Sequence, residues 1–422
     1  MKVLFIAYDG ILTQSVFESQ IVKPLELLSK DMGADCRLVA FESIAPYFKR
    51  LPEIGRKREE IERRSGVKCL FLPRIPGFCG LMFTAFALPF LMKTGRVLGR
   101  DESAIIHSRG SKGCFIGLGL KRSFPGAGVV FDARASEPEQ YVSDFLTDGP
   151  VDLDKLPRDK ARLYEKTAVL EARAARGADH IFSQCEELKK SLMTKYGVPG
   201  RRFTVFPNAV SVNKFSFDAA LREKVRNELG IEKRLVLVYS GSINSYQLPE
   251  RGVQFFKRLK SRAPESFFLA MTFDPERMSG LLAGAGVDKG DYKVMKLGFA
   301  DVPRYTLAGD AGLLLRVQNE YSRTSAPVKL AEYLSAGLFI VTLDGIGDAS
   351  PLVRRHGAGI VLPDAGDESL ENGAAMLASM SDKLASTCEK RRIAGLVVPS
   401  YSQEHQIPEK YRCYQRLLKN RP

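Results

Sequence analysis

The chain has 422 residues, 27% of them charged and 45% hydrophobic, with no low-complexity stretch. That suits two ordinary domains with sizeable cores. A formal net charge of +14 implies an anionic partner such as phosphates, anionic lipid or nucleic acid. No zinc pattern, aromatic-rich RNA motif or helix-turn-helix signature is present, so no nucleic-acid partner is expected. The four histidines do not cluster, which argues against a metal site. The seven cysteines are scattered and never form a Cys-x-x-Cys pair, as in a reducing cytosol.

Taken in order, Val3 to Ala7 reads as a strand opening into a glycine loop at Tyr8-Asp9-Gly10. This start is too short in its apolar part for a signal peptide. Gln14 to Met32 carries apolar residues at helical spacing, Val16, Ile21, Leu25 and Leu28. Arg37 to Phe41 and Leu70 to Leu72 read as strands. The charged helix Lys57 to Arg64 between them reads as a solvated face. Ile75 to Met92 has no charge, but Pro76, Gly77, Gly80 and Pro89 interrupt it, and about 20 residues are needed to span a bilayer. A span is rejected. The stretch is either a buried loop and helix or an apolar surface that touches a membrane or lipid tail. Ala104 to His107, Val129 to Asp132, Ile181 to Ser183 and Phe203 to Phe206 continue the strands, with a helix after Gly113 and a long one from Asp159 to Arg176.

A linker, Ser211 to Asp218, leads to a second series. Its strands are Leu235 to Tyr239, Phe267 to Thr272, Tyr292 to Leu297, Gly312 to Leu315, Leu338 to Leu343 and Gly359 to Leu362. Tyr401 to Leu418 reads as a terminal helix that packs back on a domain already made. Strands alternating with helices imply parallel sheets covered on both faces. Ligands of such sheets sit beyond the carboxyl ends of strands. In the first series Gly10, His107, Arg134 and Asn208 stand there.

Arg316 to Gly337 is the most informative stretch. It follows an apolar strand and runs through a polar loop, Arg323-Thr324-Ser325-Ala326, to Pro327, where a helix starts at no cost in N–H bonding. Gly337 ends that helix. Free N–H groups at the helix start, beside Arg323 and Lys329, suit a phosphate. Glu332 lies three residues after Lys329, on nearly the same helix face, where a carboxylate can accept two ribose hydroxyls. The local reading is a nucleotide seat. The plain alternative is a strand–loop–helix connection in which Glu332 pairs with Lys329.

Two doubly wound, Rossmann-like α/β domains facing across a cleft describe the GT-B architecture, and the motifs resemble family 4 glycosyltransferases. Ser183 to Leu188, then Val205-Phe206-Pro207-Asn208-Ala209-Val210 and Phe215, resemble the interdomain segment. Leu237 to Ser242 resembles the glycine turn opening the donor domain, and Ala308 to Gly337 the donor strand and helix. The tail resembles the terminal helix that crosses back. The resemblance implies an acceptor-binding domain over residues 1–210, joined by residues 401–422, and a donor-binding domain over 211–400. It implies transfer of a sugar from a UDP- or GDP-sugar, with retention and without a metal or other cofactor, to a glycan or lipid-linked acceptor in cell-surface polysaccharide or glycolipid synthesis. By the same resemblance Glu332 binds the ribose, Gly241 and Ser242 lie near the diphosphate, Phe299 near the base, and His107 meets the donor sugar. Gly10 lets its loop approach phosphates or acceptor.

Two departures matter. Thr324 stands eight residues before Glu332, where the family often has a first Glu. Ser242 to Gln247 lacks the Arg and Lys that often neutralise the leaving diphosphate there. Charge on the leaving group is the main demand of this chemistry, so Arg316, Arg323 and Lys329 are the expected substitutes, with Thr324 and Ser325 beside the donor. Arg134 either binds acceptor or pairs with Asp132, and His107 is either a sugar ligand or a satisfied core histidine. Lys49, Arg50, Arg56, Lys57, Arg58, Arg63 and Arg64 are either a solvated face or a dock on the inner face of an anionic membrane. An epimerase-like or phosphorylase activity and a non-catalytic scaffold or lipid binder on the same fold are the alternatives.

Overall fold

The structure, a computed structural model, describes residues 1–12, 17–94, 103–145, 151–212, 214–298 and 300–419. Gln14, Val16 and Phe299 lie outside the described residues. The chain forms two compact units. The first takes Met1–Val142, Asp152–Pro207 and Gln403–Pro422; the second takes Ser143–Val151 and Asn208–Ser402. Val210 is held in the second unit because its N–H donates to the Tyr401 carbonyl at 2.8 Å.

The first unit is a seven-stranded parallel sheet of β1 (Lys2–Ala7), β2 (Asp35–Ser43), β3 (Lys68–Arg74), β4 (Ala104–Arg109), β5 (Ala127–Ala133), β6 (His180–Ser183) and β7 (Phe203–Val205), in the order β3-β2-β1-β4-β5-β6-β7. Alternate residues of β1 enter opposite cores, Leu4 and Ile6 on one face and Val3 and Phe5 on the other. β4 and β5 are buried at every position, as parallel strands covered on both faces must be. The covering helices include α1 (Gly77–Thr94), α2 (Gly110–Ser123), α3 (Arg158–Gly177) and the carboxyl-terminal helix Gln403–Lys419.

The second unit is a six-stranded parallel sheet of β8 (Val236–Ser240), β9 (Phe267–Met271), β10 (Tyr292–Met295), β11 (Ala311–Leu314), β12 (Phe339–Leu343) and β13 (Gly359–Leu362), in the order β10-β9-β8-β11-β12-β13. Helix α4 (Val328–Ser335) follows β11, and the carboxyl-terminal helix becomes α5. Asp310, immediately before β11, is a buried hub. Its carboxylate meets Arg222 at 2.6 Å, Arg226 at 3.2 Å and Lys390 at 3.1 Å, and accepts the Val236 N–H at 2.9 Å. Burial alone would raise its pKa, but Lys390 and the two arginines bring it down to about 2. The hub fixes the amino ends of β8 and β11, and hence where their carboxyl ends point.

Three expectations need correction. β4 runs on to Arg109, so His107 lies two residues inside the strand rather than at its end. Arg323 and Thr324 are not loop but part of a helical turn, Glu320–Thr324, capped by the Asn319 side chain. The stretch after Ile75 is a helix buried on one face only: Leu81, Ala85, Leu88 and Met92 join the core, while Phe83 is 61% exposed, and Phe86 and Phe90 are each 69% exposed. No helix among the described residues is long and apolar enough to cross a membrane.

Candidate functional site

Both sheets reverse strand order once, between β1 and β4 and between β8 and β11. In open parallel sheets the crevice at such a reversal, beyond the carboxyl ends, is where ligands bind. Each reversal here places a glycine loop after one strand and an arginine at or just beyond the end of the other: Gly10 and Arg109 in the first unit, Gly241 and Arg316 in the second.

In the second unit, Tyr333 docks α4 onto the reversal. Its hydroxyl accepts the Ser240 N–H at 2.8 Å, at the end of β8. Its ring packs on Gly312 of β11, where an added Cβ would stand 2.4 Å from the ring. The preceding loop is held by Asn208, whose side chain donates to the Ala326 carbonyl at 2.5 Å. It is also held by Gly347, which approaches so closely that a Cβ would lie 2.0 Å from the Ser325 carbonyl. Glu332 is thereby fixed on the second turn of α4. It is 3% exposed and accepts from Lys329 Nζ at 2.6 Å. The ion-pair alternative weighed from the sequence is therefore present, and a ligand's hydroxyls would compete with Lys329 for this carboxylate.

Arg316 leaves β11 under the ring of Tyr246, 5.7 Å from its centroid, and donates from Nη1 to Ser325 Oγ at 3.1 Å. Its Nε is buried with no hydrogen-bond partner among the described residues, as are Asn319 Nδ2 and Ser322 Oγ. Buried polar atoms are nearly always satisfied. Three orphans within one seven-residue stretch, Arg316 to Ser322, mark a place where something polar is to be bound. Gly241, at φ +152°, turns the chain after β8, and Ser242 Oγ accepts from Gln247 at 2.7 Å and Asn244 at 3.1 Å. Ser325 donates to the Ser322 carbonyl at 3.1 Å. Thr324 is fully buried and donates back to the Glu320 carbonyl at 2.8 Å. Arg323 is exposed and paired with Glu320.

In the first unit the same position is filled mainly by paired ions, although Arg109 Nη1 is also buried with no hydrogen-bond partner among the described residues. Arg109, 5% exposed, donates from Nε to Asp9 at 2.7 Å, and its Nη1 lies 3.9 Å from Asp132. Arg134 meets Asp132 at 3.3 Å and Gln20 Oε1 at 3.3 Å. Burial, and then the charge of Arg109, lower the Arg134 pKa to about 10. Burial lowers Lys410 of α5 to about 8. Burial would raise Asp132, but Arg134 leads the charges that hold it well below the usual carboxylate range. His107 is enclosed: Nδ1 lies 2.7 Å from the Tyr414 hydroxyl, Nε2 lies 3.4 Å from Asp132, and the ring stacks on Phe5 at 4.4 Å. Burial lowers its pKa, so it stays neutral. This is the geometry of a satisfied core histidine. Gly10, at φ +131°, precedes a loop tied down by Glu42, which accepts the N–H groups of Ile11 and Leu12 at 2.9 and 2.7 Å.

Four residues at these two positions escape a reading of the sequence. Arg109 follows His107 so closely that its strand-end place depends on where β4 stops. Tyr246 and Tyr321, edge to face at 5.8 Å, form the apolar wall beside Arg316. Arg277 reaches in from the helix Pro275–Gly284 to donate to the Ile243 carbonyl at 2.9 Å. It brings a base to the glycine turn that has none of its own. Only Arg109 carries a local signal, a charge ending an apolar run.

No family model matches the sequence, and no curated protein matches it. Solved structures do. A glycosyltransferase from Rickettsia africae ESF-5 is similar with a TM-score of 0.70 and 12% identity over 100% of both chains. HepE of Anabaena, solved in complex with UDP, is similar with a TM-score of 0.68 and 13% identity over 98% of this chain and 100% of that one. WaaG, a glycosyltransferase involved in lipopolysaccharide biosynthesis, has a TM-score of 0.63 and 16% identity over 97% and 98% of the two chains. With the two parallel sheets of seven and six strands, this likeness establishes the α/β fold of the GT-B glycosyltransferases.

Proposed function

We propose that the chain is a retaining, metal-independent hexosyltransferase of family 4 type. It would take a sugar from a UDP- or GDP-sugar and transfer it to a glycan or lipid-linked acceptor in cell-surface polysaccharide or glycolipid synthesis, on the cytoplasmic side and peripheral to the membrane. The observation that carries the reading is the second unit's strand-order reversal. It combines three orphaned polar atoms, a buried Glu332 and the start of α4. That HepE was solved with UDP and with UDP-glucose on the same fold supports UDP as the nucleotide.

In this reading the diphosphate takes the Arg316 Nε and the N–H groups of the first turn of α4, which have no partner within the helix. Lys329 swings from Glu332 to the phosphates, and Glu332 accepts the ribose hydroxyls. The bond from the anomeric carbon to the phosphate oxygen breaks as the acceptor oxygen bonds on the same face. The acceptor's proton passes to the departing phosphate oxygen. The chain's part is positioning and stabilisation of negative charge. Arg134 serves the acceptor in the first unit. A non-catalytic seat on this fold would bind the nucleotide without turnover. Incubation with UDP- and GDP-sugars separates the two readings: release of nucleoside diphosphate that increases with a lipid-linked glycan is expected, and nucleotide binding without any release would overturn the transferase reading.

A further inference from the structure

The first unit carries an apolar surface that the donor seat does not use. Among the described residues Phe78, Phe83, Phe86, Phe90 and Leu91, all on α1, are exposed by 43%, 61%, 69%, 69% and 46%. A helix apolar on every side is ordinarily buried in protein or in lipid. Exposed apolar patches of this kind mark interaction sites.

Beside this face lies a groove of about 910 Å³ between α1, α2 and α3. Each helix contributes one stripe of residues three and four apart. Met82 and Phe86 come from α1, Phe115 and Arg122 from α2, and Ala172 and Arg173 from α3. The groove is polar at one end. α2 follows β4 and α3 precedes β6, so Arg122 and Arg173 lie toward the amino edge of the sheet, with Phe115 farther from it. Arg122 and Arg173 are exposed, and neither has a hydrogen-bond or ion-pair partner among the described residues. Part of the basic cluster singled out in the sequence is paired. Arg50 pairs with Glu53 at 2.6 Å and Arg64 with Glu18 at 2.9 Å, while Lys57 lies 3.5 Å from Glu18. Lys49, Arg56, Arg58 and Arg63 of that cluster are exposed and, like Arg122 and Arg173, have no ion-pair partner among the described residues, but they do not line the groove.

We propose that this groove binds one acyl chain of an anionic phospholipid in a bilayer leaflet, its phosphate on Arg122 and Arg173, while the exposed phenylalanines of α1 enter the same leaflet. A bilayer lipid fits better than a lone amphiphile because the apolar face continues outside the groove, where a surrounding leaflet would cover it. The charge agrees: anionic leaflets attract unpaired bases. The proposal does not rest on the transferase reading.

The chain contains no tryptophan, so a single Phe90→Trp reports on this face alone. With vesicles of equimolar phosphatidylglycerol and phosphatidylcholine its emission shifts to the blue, and the full chain floats with the vesicles. Pure phosphatidylcholine gives much weaker flotation. Met376→Trp, exposed in the second unit, shows no shift. Arg122→Glu with Arg173→Glu weakens flotation by roughly tenfold or more, since each base near an anionic surface contributes roughly a fivefold gain. Ala172→Trp, which fills the groove without touching charge, weakens it severalfold, and melting curves confirm that each variant is folded. Three results would overturn the proposal: no flotation of the wild-type chain, flotation indifferent to both the charge and the groove variants, or a stable dimer that Phe83→Ser dissociates, which would assign the face to a second copy.

Discussion

The two strand-order reversals share a topology and differ in chemistry. In the first unit Arg109, Arg134, Asp9 and Asp132 pair with one another, with Arg109 Nη1 left without a hydrogen bond, and His107 is sealed between Asp132 and Tyr414. In the second, Arg316 keeps a buried N–H unmatched, and Asn319 and Ser322 do the same. A buried charge is tolerated where it is paired, and an orphan where a ligand completes it. The difference is one of degree: the first reversal is held mainly by its own ions with one Arg109 N–H left over, whereas the second gathers three orphans in one short stretch before α4, as a ligand seat would.

The largest expected effect tests that contrast. Arg316→Ala lowers kcat for sugar transfer by roughly a hundredfold to a thousandfold, as removal of a donor aimed at developing charge does, while the melting temperature stays close to wild type. Arg109→Ala does the reverse in kind. It destabilises the first unit by about 3 kcal/mol, at the low end for a broken buried pair because Asp9 is about one-third exposed. If Arg109→Ala were as stable as wild type, the claim that these ions hold the first reversal would fail.

The pH dependence of the units differs in sign. Burial, and then the neighbouring Glu137 charge, raise the pKa of the fully buried Glu171 from 4.5 to about 8. Between those values the folded chain holds a proton that the unfolded chain has lost, so the first unit loses stability as pH rises from about 5 to 8, by up to about 1.4 kcal/mol per pH unit. Glu171→Gln flattens that slope in urea titrations. In the second unit burial lowers Lys390 from 10.5 to about 8. There the unfolded chain binds the extra proton, and this group adds stability as pH rises from about 8 toward 10.5. Lys390→Met removes the rise; a rise that persisted would place its origin elsewhere.

Glu332→Ala weakens UDP binding by roughly tenfold to a hundredfold, the worth of hydrogen bonds to a charged group. The smallest effect is Arg323→Ala. Its pair with Glu320 is exposed, so folding changes by less than about 0.5 kcal/mol. A severalfold loss of nucleotide affinity in that variant would then belong to a ligand contact.

Much of this was legible in the sequence because both signals are local. Most strands of both sheets contain an apolar run, and α4 announces itself through Pro327, its apolar spacing and Gly337. The place of Glu332 follows from its distance to Lys329. Other features depend on contacts between distant segments. The strand-end role of Arg109 depends on where the pairing of β4 with β1 and β5 stops. Arg277 reaches the glycine turn from 34 residues away. Arg122 and Arg173 meet at the groove only because α2 and α3 pack side by side, which no local pattern announces. The strand-end position read for His107 failed because β4 runs on to Arg109.

The central claim is that the second reversal is a nucleotide seat and the first is not. Isothermal titration with UDP and GDP of the wild-type chain, Glu332→Ala and Arg134→Ala tests it most directly. The account predicts binding of at least one of the two by the wild type, nearly unchanged binding by Arg134→Ala and a loss of roughly tenfold or more by Glu332→Ala. No binding of either nucleotide, or full affinity in Glu332→Ala, would contradict it.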